Sequence, residues 1–171
     1  MAALGTGTAA AVSDIEQILF GAWLAVLAIL SWHDLRTRRI LTAVVNPATA
    51  VGIVALAGMA WRSGTPLRLG IAAATGAAAY GAFAVLHAIN PDGLGYGDVR
   101  LSGLMGLFLG WLGPAAMATA ALTGAVGAAV VALAVSARRR DLRATLPFGP
   151  FLAGGAVAVA LLHADSPLRL G

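Results

Sequence analysis

Asp34 closes the uncharged run 17–33, and Asp98 stands just before the uncharged run 101–137. Each carboxylate is therefore at the mouth of an apolar segment rather than on a solvated face. An ionisable side chain at a lipid boundary is costly to keep, which makes it a functional candidate. Two carboxylates held within a few ångströms resist double ionisation and share a proton. The charged member can then activate a water while the protonated member donates to a carbonyl oxygen, a division of labour that hydrolyses an amide. Glycines at 95 and 97, flanking Tyr96, let the backbone beside Asp98 approach a substrate strand closely.

Simpler readings exist for every acid. Ser13-Asp14-Ile15-Glu16 spells a capping box, so Asp14 and Glu16 are explained by a helix start and its dipole. Asp141 lies among Arg138, Arg139, Arg140 and Arg143 and reads as a loop acid; Asp165 belongs to a polar tail. Asp92, between Pro91 and Gly93, reads as a turn residue. Asp34 could pair with Arg38 at helical i,i+4 spacing, and Asp98 could be an N-cap after a glycine turn. The pairing of Asp34 with Asp98, each at the end of a separate helix, raises both above these local explanations. His33, His87 and His163 are scattered without metal-ligand spacing, and the absence of cysteine removes thiolate metal sites, disulfides and thiol nucleophiles. No metal and no cofactor is expected.

The elements that must position these acids follow from the charge pattern. Only 11% of the 171 residues are charged and 60% are hydrophobic, against roughly 25% and about 45–50% in soluble domains. Mean hydropathy is +0.88. The uncharged runs at 17–33, 40–61, 69–91, 101–137 and 144–164 compare with the roughly 20 residues that cross a bilayer core. The longest divides at Gly110-Trp111-Leu112-Gly113-Pro114, where glycine and proline favour a turn and tryptophan suits the headgroup interface. The expectation is an all-α, polytopic membrane protein: a single-domain bundle of six transmembrane helices at about 14–33, 41–61, 69–89, 99–112, 114–136 and 147–163, with residues 1–12 a flexible N-terminus that lacks the positive region of a signal peptide. Gly-x-x-x-Gly spellings such as Gly106 to Gly110 suit close helix contacts.

The arginines orient the bundle. Arg36, Arg38, Arg39, Arg100, Arg138, Arg139, Arg140 and Arg143 fall on one side, against Arg62, Arg68 and Arg169 on the other. The eight-arginine side, with Asp34 and Asp98, is expected to be cytoplasmic. The net charge of +4 is thereby accounted for by topology, and no nucleic-acid partner is expected.

Three segments resemble one known family. Gly95-Tyr96-Gly97-Asp98 is the G-x-G-D motif of intramembrane aspartyl proteases, and its continuation Val99-Arg100-Leu101 is similar to the G-G-G-D-V-K-L of type IV prepilin peptidases. Asp34, followed by arginines and Ile40, resembles that family's first catalytic segment. Pro147-Phe148-Gly149-Pro150-Phe151-Leu152 resembles its last-helix signature P-F-G-P-F-L. Leu41 stands where the family usually has proline, and Arg100 where lysine is commoner, which keeps the charge but alters the donor geometry.

The resemblance implies an aspartic endopeptidase that removes the basic leader of type IV pilin-like precursors at the cytoplasmic membrane face. Asp34 and Asp98 would be the catalytic pair, supported by Gly95, Gly97, Arg100 and the wall Pro147, Phe148, Gly149 and Pro150. Without cysteine, the chain looks like the short form that lacks an N-methyltransferase domain and serves Flp/Tad pili or pseudopilins. Its expected partners are a prepilin or pseudopilin precursor and the lipid bilayer. Presenilin-type proteases share G-x-G-D but have other accompanying motifs. A small transporter or channel subunit using the same aspartates as an ion or proton site is the alternative from another class.

Overall fold

The computed structural model describes residues 3–37, 41–91, 93–139 and 149–164, all of them helical apart from short connections. Six helices follow in chain order: α1 (Ala3–Thr37), α2 (Thr42–Ser63), α3 (Pro66–Ile89), α4 (Tyr96–Leu112), α5 (Pro114–Arg139) and α6 (Gly149–Ala164). No strand occurs among the described residues. Asp14–Thr37, Thr42–Ser63, Pro66–Ile89 and Pro114–Val131 are long and apolar enough to cross a membrane. The chain is a multi-pass, all-helical membrane protein.

The helix ends obey local chemistry. Gly64 closes α2 at φ 67°, a left-handed C-cap that residues with a Cβ adopt at a cost. Pro66 opens α3 in the first turn, where its missing N–H is no loss. The long apolar run does break where glycine and proline predict: α4 ends at Leu112, Gly113 takes φ 131°, and Pro114 begins α5.

Two sequence expectations fail here. The capping-box spelling at 13–16 does not open a helix, because α1 begins at Ala3 and is already helical over the stretch that precedes it. That stretch is rich in alanine, the strongest helix former, and overrides the local start signal. Trp111 does not face lipid or headgroups either: it is 3% exposed, its indole N–H engaged inside the bundle. Trp32 and Trp61, exposed near the ends of α1 and α2, fit the interface instead.

α4 is the axis of the bundle. All but five of its 17 residues are buried, and it packs on α2, α3, α5 and α6. At about 1.5 Å per residue it is some 26 Å long, and being enclosed it needs no lipid-facing surface. Its tightest neighbour is α3. A Cβ on Gly106 would lie 2.8 Å from the Gly76 Cα and 2.9 Å from the Ala79 Cβ, and one on Gly110 2.6 Å from the Thr75 Cβ. The Gly106–Gly110 spelling is thus the groove into which α3 sinks, the close approach that small residues permit in membranes. α5 and α6 meet the same way, with Gly124 against the backbone of Phe151 and Leu152. α1 reaches α4 through rings: Trp23 stacks on Phe108 at 5.1 Å and Phe20 meets Phe108 edge-on at 5.6 Å.

Candidate active site

Asp34 occupies the last turn of α1 and Asp98 the first turn of α4. Both are buried, at 6% and 8% exposure, and with Ser102 they are the buried polar or charged side chains among the described residues. The two lie near enough for the Asp34 charge to be felt at the Asp98 carboxyl. The antiparallel course of α1 and α4 therefore brings together two acids that are 64 positions apart.

Asp98 is not the N-cap of α4. Gly95 holds that position in extended conformation, φ −67° and ψ 146°, so Asp98 stands three residues on. From there its carboxyl turns back to accept a hydrogen bond from the Gly95 backbone, while the Asp98 N–H donates to the Gly95 carbonyl at 3.0 Å. This is one half of a capping box, and it places a negative group where the helix dipole favours it. It also gives the glycine a reason: a Cβ on Gly95 would press on Asp98 Oδ2 at 3.3 Å. The second oxygen, Oδ1, is buried with no hydrogen-bond partner among the described residues. A buried carboxylate oxygen without a donor is expensive, and the same carboxyl also feels the Asp34 charge.

Around this pair the structure adds residues that sequence reasoning misses. The Tyr96 hydroxyl is 2.7 Å from that of Tyr80 on α3. Its ring carries the Arg100 guanidinium at 5.0 Å and meets the His87 ring at 5.6 Å. His87 Nδ1 is 2.6 Å from the Leu94 carbonyl, and Gly93 N–H donates to Asn90 Oδ1. The connection leading into Asp98 is thus tied to the end of α3. No local spacing signals this, since Tyr80 and His87 belong to the preceding helix. Arg100 is placed over Tyr96 rather than against either aspartate.

Gly97 is half-buried in the first turn of α4. Gly149 is buried and Pro150 half-buried at the start of α6, a helix packed on both α1 and α4. Pro147 and Phe148 lie outside the described residues, as do Arg38, Asp92, Asp141 and Asp165. No cluster of three or more potential metal ligands occurs among the described residues.

Comparison with known proteins gives the same direction. The chain is 40% identical over 81 residues to a prepilin leader peptidase/N-methyltransferase of Burkholderia pseudomallei, a match covering 47% of this chain and 25% of that protein. It is 36% identical over 85 residues to leader peptidase HopD of Escherichia coli, covering 47% of this chain and 54% of HopD. The match thus spans a quarter to about half the length of these curated relatives. No solved structure gives a significant match. The profile of the type IV leader peptidase family, however, matches residues 18–159, a stretch that takes in both aspartates and reaches into all six helices, and the chain belongs to that family.

Proposed function

We propose that this protein is an aspartic endopeptidase that cleaves the basic leader from type IV pilin-like precursors, Flp/Tad pilins or pseudopilins, at the cytoplasmic face of the bacterial inner membrane. The observation that carries this reading is the burial of Asp34 and Asp98 together, on separate helices, with Asp98 Oδ1 unpartnered among the described residues. The fold gains a helix-start hydrogen bond from Asp98 but nothing from burying a second carboxyl near it, whereas proton-sharing carboxyls are suited to amide hydrolysis by water.

In this mechanism a water between the carboxyls is deprotonated by the ionised aspartate as it attacks the scissile carbonyl. The protonated aspartate gives its proton to the carbonyl oxygen. Collapse of the tetrahedral intermediate returns a proton to the leaving amine, with no covalent enzyme intermediate. The pair titrates as one unit, and the roles of base and acid belong to the pair. The precursor's apolar segment lies in the bilayer and its basic leader on the arginine-rich side. That delivers the scissile bond to the level of the α1 C-terminus and the α4 N-terminus. Both aspartates lie within one turn of a helix end, which disfavours a mid-membrane ion site.

The test is cleavage of a cognate prepilin by purified protein, with Asp34→Asn and Asp98→Asn made separately. Both variants are expected to be inactive; full activity in either sinks the assignment.

A further inference from the structure

Glu16 lies at the opposite end of α1 from Asp34, and its carboxylate is enclosed by two other helices. Its Oε1 accepts from the Trp111 indole N–H of α4 at 2.7 Å and from Arg68 Nη2 of α3 at 3.2 Å. Arg68 closes the circuit: its Nε donates to the Trp111 carbonyl at 2.9 Å, and its guanidinium lies 4.5 Å from the centre of the Trp111 ring. The side chains of Arg68 and Glu16 are only 21% and 13% exposed. The Trp111 carbonyl is one of those left without a partner at the end of α4, and a cation there also suits the helix dipole.

The clasp has a geometric relation to the aspartates. From position 16 to position 34 is 18 residues, which is five turns of 3.6 and about 27 Å, so both acids stand on one face of α1. As α1 runs through Glu16, Trp23 and Asp34, α4 runs the other way through Trp111, Phe108 and Asp98. The middle layer is ring packing of Trp23 on Phe108, and the buried Trp23 indole N–H has no partner among the described residues, so this layer supplies no hydrogen bond to fix the register. The aspartate end is repulsive when both groups are charged. The Glu16–Trp111 bond is therefore the directional contact that can define how far α1 stands along α4, a use of buried polar groups attested in helix registry.

We infer that Glu16 is a positioning residue: the Glu16–Trp111–Arg68 clasp sets the register of α1 on α4 at which Asp34 faces Asp98. This rests on the peptidase reading only for its effect on turnover; the register itself is measured without substrate. The chain has no cysteine, so an Asp34→Cys/Asp98→Cys pair gives a clean reporter. Its cross-linking rate with a short bifunctional methanethiosulfonate is compared with and without a second change at the clasp. Glu16→Ala slows cross-linking at least about tenfold, since misplacement by an ångström is enough to cost up to about 10²-fold in a reaction between positioned groups. Trp111→Phe, which keeps the ring and the Arg68–Glu16 pair, does the same and covers the case in which Glu16→Ala fails to fold. Glu16→Gln, whose amide oxygen still accepts from the indole, restores the rate.

In otherwise unaltered protein, Trp111→Phe lowers kcat for a prepilin at least about tenfold with KM nearly constant, as expected for lost alignment rather than lost binding. Wild-type cross-linking rates in folded Trp111→Phe overturn the inference. Failure of the wild-type protein to cleave any prepilin overturns the peptidase reading instead, and the cross-linking rates still decide the register.

Discussion

The two ends of α4 hold acids on opposite terms. At its C-terminal end Glu16 receives a guanidinium and an indole N–H, and each donor is itself held by a further contact. At its N-terminal end Asp98 has the Gly95 backbone for one oxygen, no partner among the described residues for the other, and a second buried carboxyl in its field. The first arrangement is what folding selects, since a buried charge is tolerable once it is paired and hydrogen-bonded. The second costs stability wherever both groups are charged, and strain of that kind collects at functional sites. Burial and membrane depth alone do not separate the two acids; satisfaction does.

The comparison breaks most sharply under neutralisation. Asp98→Asn and Asp34→Asn are each expected to lower prepilin cleavage by about 10³-fold or more, the upper part of the range for general acid–base groups. Mass spectrometry of the trimmed pilin reads the loss. Neither change should lower the unfolding temperature in detergent, because each removes a charge from a repulsive pair. Glu16→Ala should do the reverse to stability and cost about 2–3 kcal/mol, because it leaves Arg68 and the Trp111 indole without their acceptor. A large stability loss in Asp98→Asn would show that the two ends are alike after all.

Backbone approach provides the next contrast. Gly106→Ala puts a Cβ 2.8 Å from Gly76 Cα, and overpacking of this kind costs about 1–3 kcal/mol. Gly81→Ala, on an exposed face of α3 with nothing inside 4 Å of the new Cβ, should leave unfolding unchanged to within about 0.5 kcal/mol. Gly95→Ala separates activity from stability. Its φ of −67° suits alanine, yet the new Cβ sits 3.3 Å from Asp98 Oδ2. Cleavage should fall about tenfold through a displaced carboxyl while the unfolding temperature holds.

The positions of the helices are legible because charges in this chain are scarce and clustered, so apolar runs bounded by arginines mark the spans directly. Asp34 and Asp98 are legible by elimination and by motif. Glu16 is not: Ser13 three residues before it offers a complete local explanation, while its actual partners, Arg68 and Trp111, are 52 and 95 residues away. Trp111 misleads for the same reason. A tryptophan beside a glycine–proline turn looks interfacial until the helix that carries it proves to be the buried axis. Asp98 has the local spelling of an N-cap, yet it stands two positions past Tyr96, the first helical residue. Cap positions differ by fractions of a turn and depend on which backbone group the side chain finally reaches. In each case the local signal names the right chemistry and the wrong address, because tertiary contacts supply a better partner.

The smallest expected effect concerns the contact between Tyr80 and Tyr96, which borders the unsatisfied end without belonging to the acids. Both rings are part-exposed, so the 2.7 Å hydroxyl contact competes with water and is worth about 0.5–1 kcal/mol. Tyr96→Phe removes the hydroxyl and keeps the ring under Arg100 and beside His87. If the ring alone holds the connection into Asp98, cleavage stays within about threefold of wild type, the equivalent of that small energy. A loss approaching that of Asp98→Asn would mean that the Tyr96 hydroxyl touches the substrate. The proposed reactive end of α4 would then hold a triad rather than a pair.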